Sequence, residues 1–370
     1  MCPVTPGCQI ILGFWSKHLV AVLPGLILAF ILAVAGHFLS EFIGVRLMGL
    51  PKSPISAIMM AILLGFLVRN TVTLPALFRP GIHFGFVRVL RVGIVLLGIR
   101  LSLAEVGAIG LQSLPVICGT VLAALLIVTY FSRKMGLSNR LGTLIAVGTS
   151  ICGATAIVAM SPTIGAKHDE VSYSVACVTI FGVVAMLVYP FAAYWMFSAD
   201  PFASGLFLGT AVHETSQVAG AGLVYQEYYD APQALDVATV TKLVRNLGML
   251  VIIPLMSILY HRSSTEAGNA PKWWTMIPLF VVGFACMSLI RTIGDQGELA
   301  FGFVQPELWK DGVAYTKKTA EICLAIAMAS VGLGTSIHAL RIIGMKPLAV
   351  GLFSALLVGG VSASLITLLY

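Results

Sequence analysis

Composition, apolar runs and a paired interruption together make this an all-helical, polytopic membrane protein by sequence. Of the 370 residues, 58% are hydrophobic and 10% charged, with a mean hydropathy of +0.98. A soluble domain carries about 25% charged residues. Apolar runs long enough to cross a hydrocarbon core of about 30 Å, which takes about 20 helical residues, recur along the whole chain. Two of these runs, GTSICGATAIVA at 148–159 and GTAVHETSQVAG at 209–220, align without a gap and interrupt apolar surroundings with small and polar residues. Paired, Gly-interrupted segments of this kind mark binding sites in secondary transporters.

The spans are placed near 18–44, 54–69, 84–104, 111–132, 139–165, 171–197, 201–225, 235–260, 273–291, 315–338 and 346–369. That is about 11 transmembrane helices by the length criterion. Residues 1–17 form a cytoplasmic N-terminal segment, because the short run CQIILGFW lacks the basic flank and the A-x-A-like site of a cleaved signal. Residues 18–370 make one transmembrane transporter domain, since the longest polar stretch, near 292–314, leaves no room for a soluble one.

The net charge of +7 comes from basic residues at span ends, which favours membrane orientation over nucleic-acid binding. Arg133, Lys134 and Arg140 form the densest basic loop and are assigned to the cytoplasm. Span counting puts His261, Arg262 and Lys272, then Arg341 and Lys346, on the same side, with Glu227, Asp230, Asp295, Glu298, Glu307 and Asp311 on the other. The N-terminus is then inside and the C-terminus outside, although Arg46 and Lys52 fall on the wrong side. Seven cysteines without a CxxC pair or metal spacing read as small buried hydrophobes, and no cofactor is expected.

A second internal match joins VLLGIRLSL at 95–103 to ASVGLGTSI at 329–337 through Gly98/Gly332 and Ser102/Ser336. The spans that follow them, from 113 and from 344, also resemble each other, so the repeat is permuted rather than tandem. By span count the 84–104 and 315–338 helices run oppositely, as an inverted repeat requires. The two interrupted segments run in the same direction. Either one of them is a re-entrant hairpin or a span is miscounted.

The second interrupted segment carries His213, Glu214, Thr215, Ser216 and Gln217. An ionisable group at membrane depth is a functional candidate by default, because a mid-span carboxylate costs about 3 kcal/mol unless it meets a partner or water. Glu214 and His213 are candidate coupling groups. Thr215 and Ser216 are suited to capping a half-helix. The first segment offers Thr149, Ser150, Cys152, Gly153 and Thr155, hence backbone and hydroxyl donors without charge; a broken helix there makes an anion cradle, and an intact one a small-residue packing surface. In the next span Lys242, Arg245 and Asn246 share one helical face. Two cations suit an oxyanion, although pairing with Glu214 or snorkelling near Asp236 would also accommodate them. Arg88, Arg91 and Arg100 flank or enter the third span. HETSQ lacks the second histidine of HExxH and no phosphate-binding loop occurs, so no enzyme is expected.

In combination, LLGIRLSL, GTSICGATAIVAMSP, HETSQVAGAG and the following TKLVRN resemble the YeiH-type family of bacterial inner-membrane proteins over roughly residues 20–365. The family's name implies sulfate export. More distantly, the two interrupted segments are similar to the crossing discontinuous helices of bile acid:sodium symporters and sodium/proton antiporters. That likeness implies core elements near 84–260 and 315–338, a panel from the remaining helices, and a homodimer formed through the panel. The expected function is secondary transport of a small inorganic or organic oxyanion by alternating access around two discontinuous crossing helices. The substrate is held by Thr149, Ser150, Cys152, Gly153, Thr155, Thr215, Ser216, Gln217, Lys242, Arg245 and Asn246. A proton or sodium ion is coupled through His213 and Glu214. The alternatives are a cation- or proton-coupled carrier of another organic anion and a sodium/proton antiporter-like carrier.

Overall fold

The computed structural model describes residues 6–47, 56–261, 278–297, 299–336 and 344–370. Lys52, Arg262, Lys272, Glu298 and Arg341, used above for orientation, lie outside the described residues. The described chain is helical throughout apart from turns and one isolated bridge between Ala300 and Val304. Its helices are α1 Pro6–Glu41, α2 Ala57–Thr71, α3 Arg79–Phe84, α4 Leu90–Leu97, α5 Leu103–Ala123, α6 Thr129–Lys134, α7 Asn139–Ser150, α8 Ala154–Met160, α9 His168–Met196, α10 Pro201–Ala211, α11 Thr215–Tyr229, α12 Pro232–Leu247, α13 Met249–His261, α14 Leu279–Gly294, α15 Pro306–Gly334 and α16 Met345–Leu369.

Six described stretches are long and apolar enough to cross a bilayer: Val20–Glu41, Ala76–Arg100, Leu103–Lys134, His168–Met196, Pro232–Met256 and Met345–Leu369. α2 and α14 are apolar but shorter. Each apolar run predicted from the sequence therefore has a helical counterpart, with three differences. α1 begins at Pro6 rather than near 18. The span expected at 315–338 is the second half of α15, whose first half carries Lys310, Lys317 and Lys318. The runs at 139–165, 201–225 and 235–260 are each two helices, α7 with α8, α10 with α11 and α12 with α13. Large apolar side chains such as Leu111, Leu126, Val251 and Trp195 are exposed, which suits a lipid-facing surface.

The chain divides into two compact units, Met1–Gly93 with Glu321–Ser336, and Ile94–Ala320 with Ile337–Tyr370. In the first, Ala29, Leu32, Ala61, Ile82, Ala329 and Leu333 form the core. α2 and the end of α15 meet backbone to backbone: a Cβ added at Gly332 would lie 2.2 Å from the Ile62 carbonyl oxygen. This is the close small-residue approach that holds helices together where lipid removes the hydrophobic driving force. In the second unit Gly98, the counterpart of Gly332 in the internal match, is pressed in the same way onto the Phe284 carbonyl of α14. Ser102 then starts α5 with a capping box, its hydroxyl accepting from the Glu105 N–H at 3.3 Å while the Glu105 carboxylate accepts from the Ser102 N–H at 2.7 Å.

The two interrupted segments do not form the crossing helices expected from the resemblance. Each folds back on itself. A straight helix would put Gly148 and Ile157 about 13 Å apart along its axis, yet a Cβ on Gly148 would stand 2.7 Å from the Ile157 side chain. The outer ends of α7 and α8 also stay together. Gly165 lies beside the Arg140 guanidinium, and the Ser138 hydroxyl that caps α7 donates to the Glu170 carboxylate at the start of α9 at 2.6 Å. For the second segment α12 serves as a ruler. Gly205 on α10 and Gly222 on α11 both rest on residues 234–237 of α12, while Gly209 rests on Ala238 and Thr241. α10 therefore runs along α12 towards Lys242 and α11 runs back. Tyr229 at the end of α11 stacks on Tyr194 near the end of α9, ring centroids 3.8 Å apart.

α9 joins the two hairpins. Its 29 residues extend about 43 Å, with the first hairpin's open end at its start and the second's at its finish. The hairpins thus enter from opposite ends. Their tips meet beside the middle of α9: Gly148 adjoins Val178, and the Gln217 amide donates to the Thr179 carbonyl at 2.9 Å. This resolves the direction conflict in the span count, because a hairpin returns to the side it came from.

Candidate functional site

Two hairpin tips inside a membrane protein pose a chemical problem. The last carbonyls of α7 and of α10 have no partner within their helices, and lipid supplies none. α12 answers it with two residues one helical turn apart. The Lys242 ammonium donates to the carbonyls of Ile151 at 3.0 Å, Val212 at 3.1 Å and His213. The Arg245 guanidinium donates through Nε to Ser150 at 2.8 Å, through Nη1 to Thr210 at 2.5 Å, and through Nη2 to Thr149. Three of these carbonyls belong to one tip and three to the other. Positive charge also stands at the negative ends of two helix dipoles. Both side chains are buried, Lys242 at 0% and Arg245 at 1% exposure.

The sequence spacing placed Lys242, Arg245 and Asn246 on one face, and that face meets the tips. Every N–H of Lys242 is engaged by a carbonyl, whereas Arg245 keeps two of its five donors. No ion pair joins Lys242 to Glu214 among the described residues. The Asn246 amide donates to the Thr215 hydroxyl at 3.1 Å, fixing the first residue of α11.

The two tips touch. A Cβ on Gly153 would lie 3.3 Å from the Glu214 Cβ. Gly153 has φ +75° and ψ −128°, a conformation essentially confined to glycine. Replacing Gly153 with alanine is expected to cost about 1–3 kcal/mol in backbone strain, read as a lowered midpoint in the thermal unfolding of purified protein.

Of the remaining candidates, Thr149, Ser150, Cys152, Ser216 and Gln217 are buried behind the contact, Glu214 and Thr215 are partly covered, and Thr155 is exposed. The Gln217 side chain accepts from the Glu214 N–H at 3.3 Å. The Cys152 thiol rests on the Met249 sulfur at 3.3 Å. Five buried polar atoms at the tips have no hydrogen-bond partner: Thr149 Oγ1, His213 Nδ1, Glu214 Oε2, Ser216 Oγ and Asn246 Oδ1. Unsatisfied polar groups cluster where water or a ligand completes the site.

A feature the sequence reading missed lies where α12 begins. Arg100 Nε and Asp236 form a 2.6 Å ion pair with side-chain exposures of 8% and 15%. Arg100 also donates to Gln226 at 3.2 Å and to the Pro232 carbonyl at 3.4 Å. Its one sequence signal was that Arg100, with Arg88 and Arg91, flanks or enters the third span.

This arrangement defines a multi-pass, all-α membrane protein whose buried polar centre is built by two opposed re-entrant hairpins and one cationic helix face. The chain belongs to the family described as Conserved hypothetical protein 698, matched over residues 24–351, which is the family its motifs pointed to. It is 32% identical to a UPF0324 membrane protein of Bartonella henselae over 93% of this chain and 92% of that one. A UPF0324 membrane protein of Streptococcus agalactiae is 31% identical, with 89% and 92% covered, and one of Fusobacterium nucleatum is 30% identical, with 88% and 92% covered. The chain is thus a multi-pass bacterial membrane protein.

Proposed function

We propose that this protein is a secondary transporter, not an enzyme, that carries a small oxyanion past the hairpin tips by alternating access, with sulfate export the first activity to test. One observation carries the reading: the tips hold two buried cations, Lys242 and Arg245, against one carboxylate, Glu214. A buried charge excess is costly, and an anion beside Thr155, Thr215 and the start of α11 supplies the missing negative charge. Two hairpins entering from opposite ends give the site a natural gate on each side. Irregular backbone at membrane depth is tolerated where it is enclosed by protein or lines an aqueous path. A homodimer and a coupling proton or sodium ion belong to the same reading.

The test is flux of radiolabelled sulfate in proteoliposomes, with and without a pH gradient. Uptake above protein-free vesicles is the expected result. No movement of sulfate or sulfonates under any gradient would overturn the reading. The unpartnered oxygens of Glu214 and Asn246 favour one rival, a cation carrier. Glu214→Gln distinguishes the two: it abolishes cation binding but leaves an anion site intact.

A further inference from the structure

We propose that Glu214 takes up a proton when a divalent oxyanion occupies the hairpin tips, so that anion and proton cross together; this rests on the oxyanion reading above. The charges at the tips are few and their partners are known. Lys242 and Arg245 contribute two positive charges, and six backbone carbonyls hold them in place. Glu214 is the one carboxylate at the tips among the described residues, and its Oε2 accepts no hydrogen bond.

No cation around Glu214 forms an ion pair with it among the described residues. From α12 come Lys242, with no donor free, and Arg245 and Asn246. From the first tip come Gly153 and the Cys152 thiol, which packs on Met249. His213 lies next in the chain, 1% exposed and with Nδ1 unpartnered. α9 presents Val178 and the Thr179 carbonyl, while its Cys177 thiol donates away, to the Pro347 carbonyl at 3.4 Å.

Charge balance then sets the stoichiometry. With Glu214 ionised the tips carry one net positive charge, which a monovalent anion cancels. A dianion would leave one uncompensated negative charge in a site closed from water, and closing around it is costly. One proton on Glu214 restores neutrality. The proton comes from water on the open side, reached through the partly covered Glu214 and Thr215, and returns to water when the site opens on the other side.

Calorimetry on the purified full-length protein tests this, with sulfate and methanesulfonate titrated in two buffers of different ionisation enthalpy. Sulfate binding is expected to take up about one proton and methanesulfonate none, and sulfate affinity is expected to fall about tenfold per pH unit above the titration of Glu214. In Glu214→Gln, sulfate should bind without proton uptake and with a flat pH profile. Sulfate binding without uptake in the wild type, or equal uptake with both anions, overturns the proposal while leaving the oxyanion reading standing. Unchanged uptake in E214Q removes Glu214 as the seat of the proton, and His213→Gln then identifies its neighbour. If the variant does not fold, the comparison of the two anions in the wild type still decides. If neither anion binds at any pH, the oxyanion reading itself falls and takes the coupling with it.

Discussion

Lys242→Met is expected to remove most of the folded protein rather than merely its activity. The methionine side chain fills nearly the same length, so packing along α12 is largely preserved. What disappears is the ammonium that binds the carbonyls of Ile151, Val212 and His213. Each buried acceptor left without a donor costs about 1–3 kcal/mol, and here three lose theirs at once in the tips of both hairpins. Against a typical total stability of about 5–15 kcal/mol, that is a large fraction. Size-exclusion chromatography of detergent extracts and a thermal melt read the effect. Lys242→Arg is expected to rescue only part of it, because a planar guanidinium does not reproduce three divergent bonds from one nitrogen. A K242M protein with normal yield and melting point, deficient only in anion binding, would instead make Lys242 a substrate ligand.

The second large effect is expected at the Arg100–Asp236 pair. Both side chains are mostly withdrawn from solvent, and their atoms approach to 2.6 Å. Removing one partner strands the other charge, which costs about 3–5 kcal/mol in buried pairs. Asp236→Leu and Arg100→Leu are therefore each expected to lower the melting point sharply. The double variant should be no worse than the more damaged single one, since it leaves neither charge without its partner. Thermal unfolding of the four proteins in the double-mutant cycle measures the coupling. Additive losses would show that the two residues act independently. Gln226 and the Pro232 carbonyl, which also receive bonds from Arg100, make Arg100→Leu the more harmful single change.

Much of this was legible in the sequence, and particular residues show where legibility ended. Apolar runs marked each helix because the period and length of a buried or lipid-facing helix are local properties. Gly148 to Gly153 and Gly209 to Glu214 announced interruptions for the same reason. The spacing of Lys242, Arg245 and Asn246 fixed a common face, since 3.6 residues per turn leaves no other arrangement. The identity of what that face meets was not local. Cations in a span suggested an anionic ligand or Glu214, whereas Lys242 and Arg245 contact carbonyl oxygens, a chemical group every residue possesses and no sequence pattern marks. The pairing of Arg100 with Asp236 was hidden for a related reason, because it joins residues from two distant helices.

The hairpins show the division most clearly. A stretch such as 201–229 has the length of one straight crossing and equally of two short arms folded together. Composition describes both alike, because each buries the same small residues. The choice depends on Gly205 and Gly222 reaching the same level of α12, on Gly148 lying against Ile157, and on Ser138 meeting Glu170. The residues read in order are enough for a polytopic helical membrane protein, the positions of its breaks and the groups gathered near them. That the breaks are opposed hairpin tips, and that Lys242 and Arg245 face their carbonyls, emerges only from the fold. Helix formation and interruption follow from neighbours along the chain, whereas the satisfaction of orphaned backbone groups depends on partners that only the folded chain brings within reach.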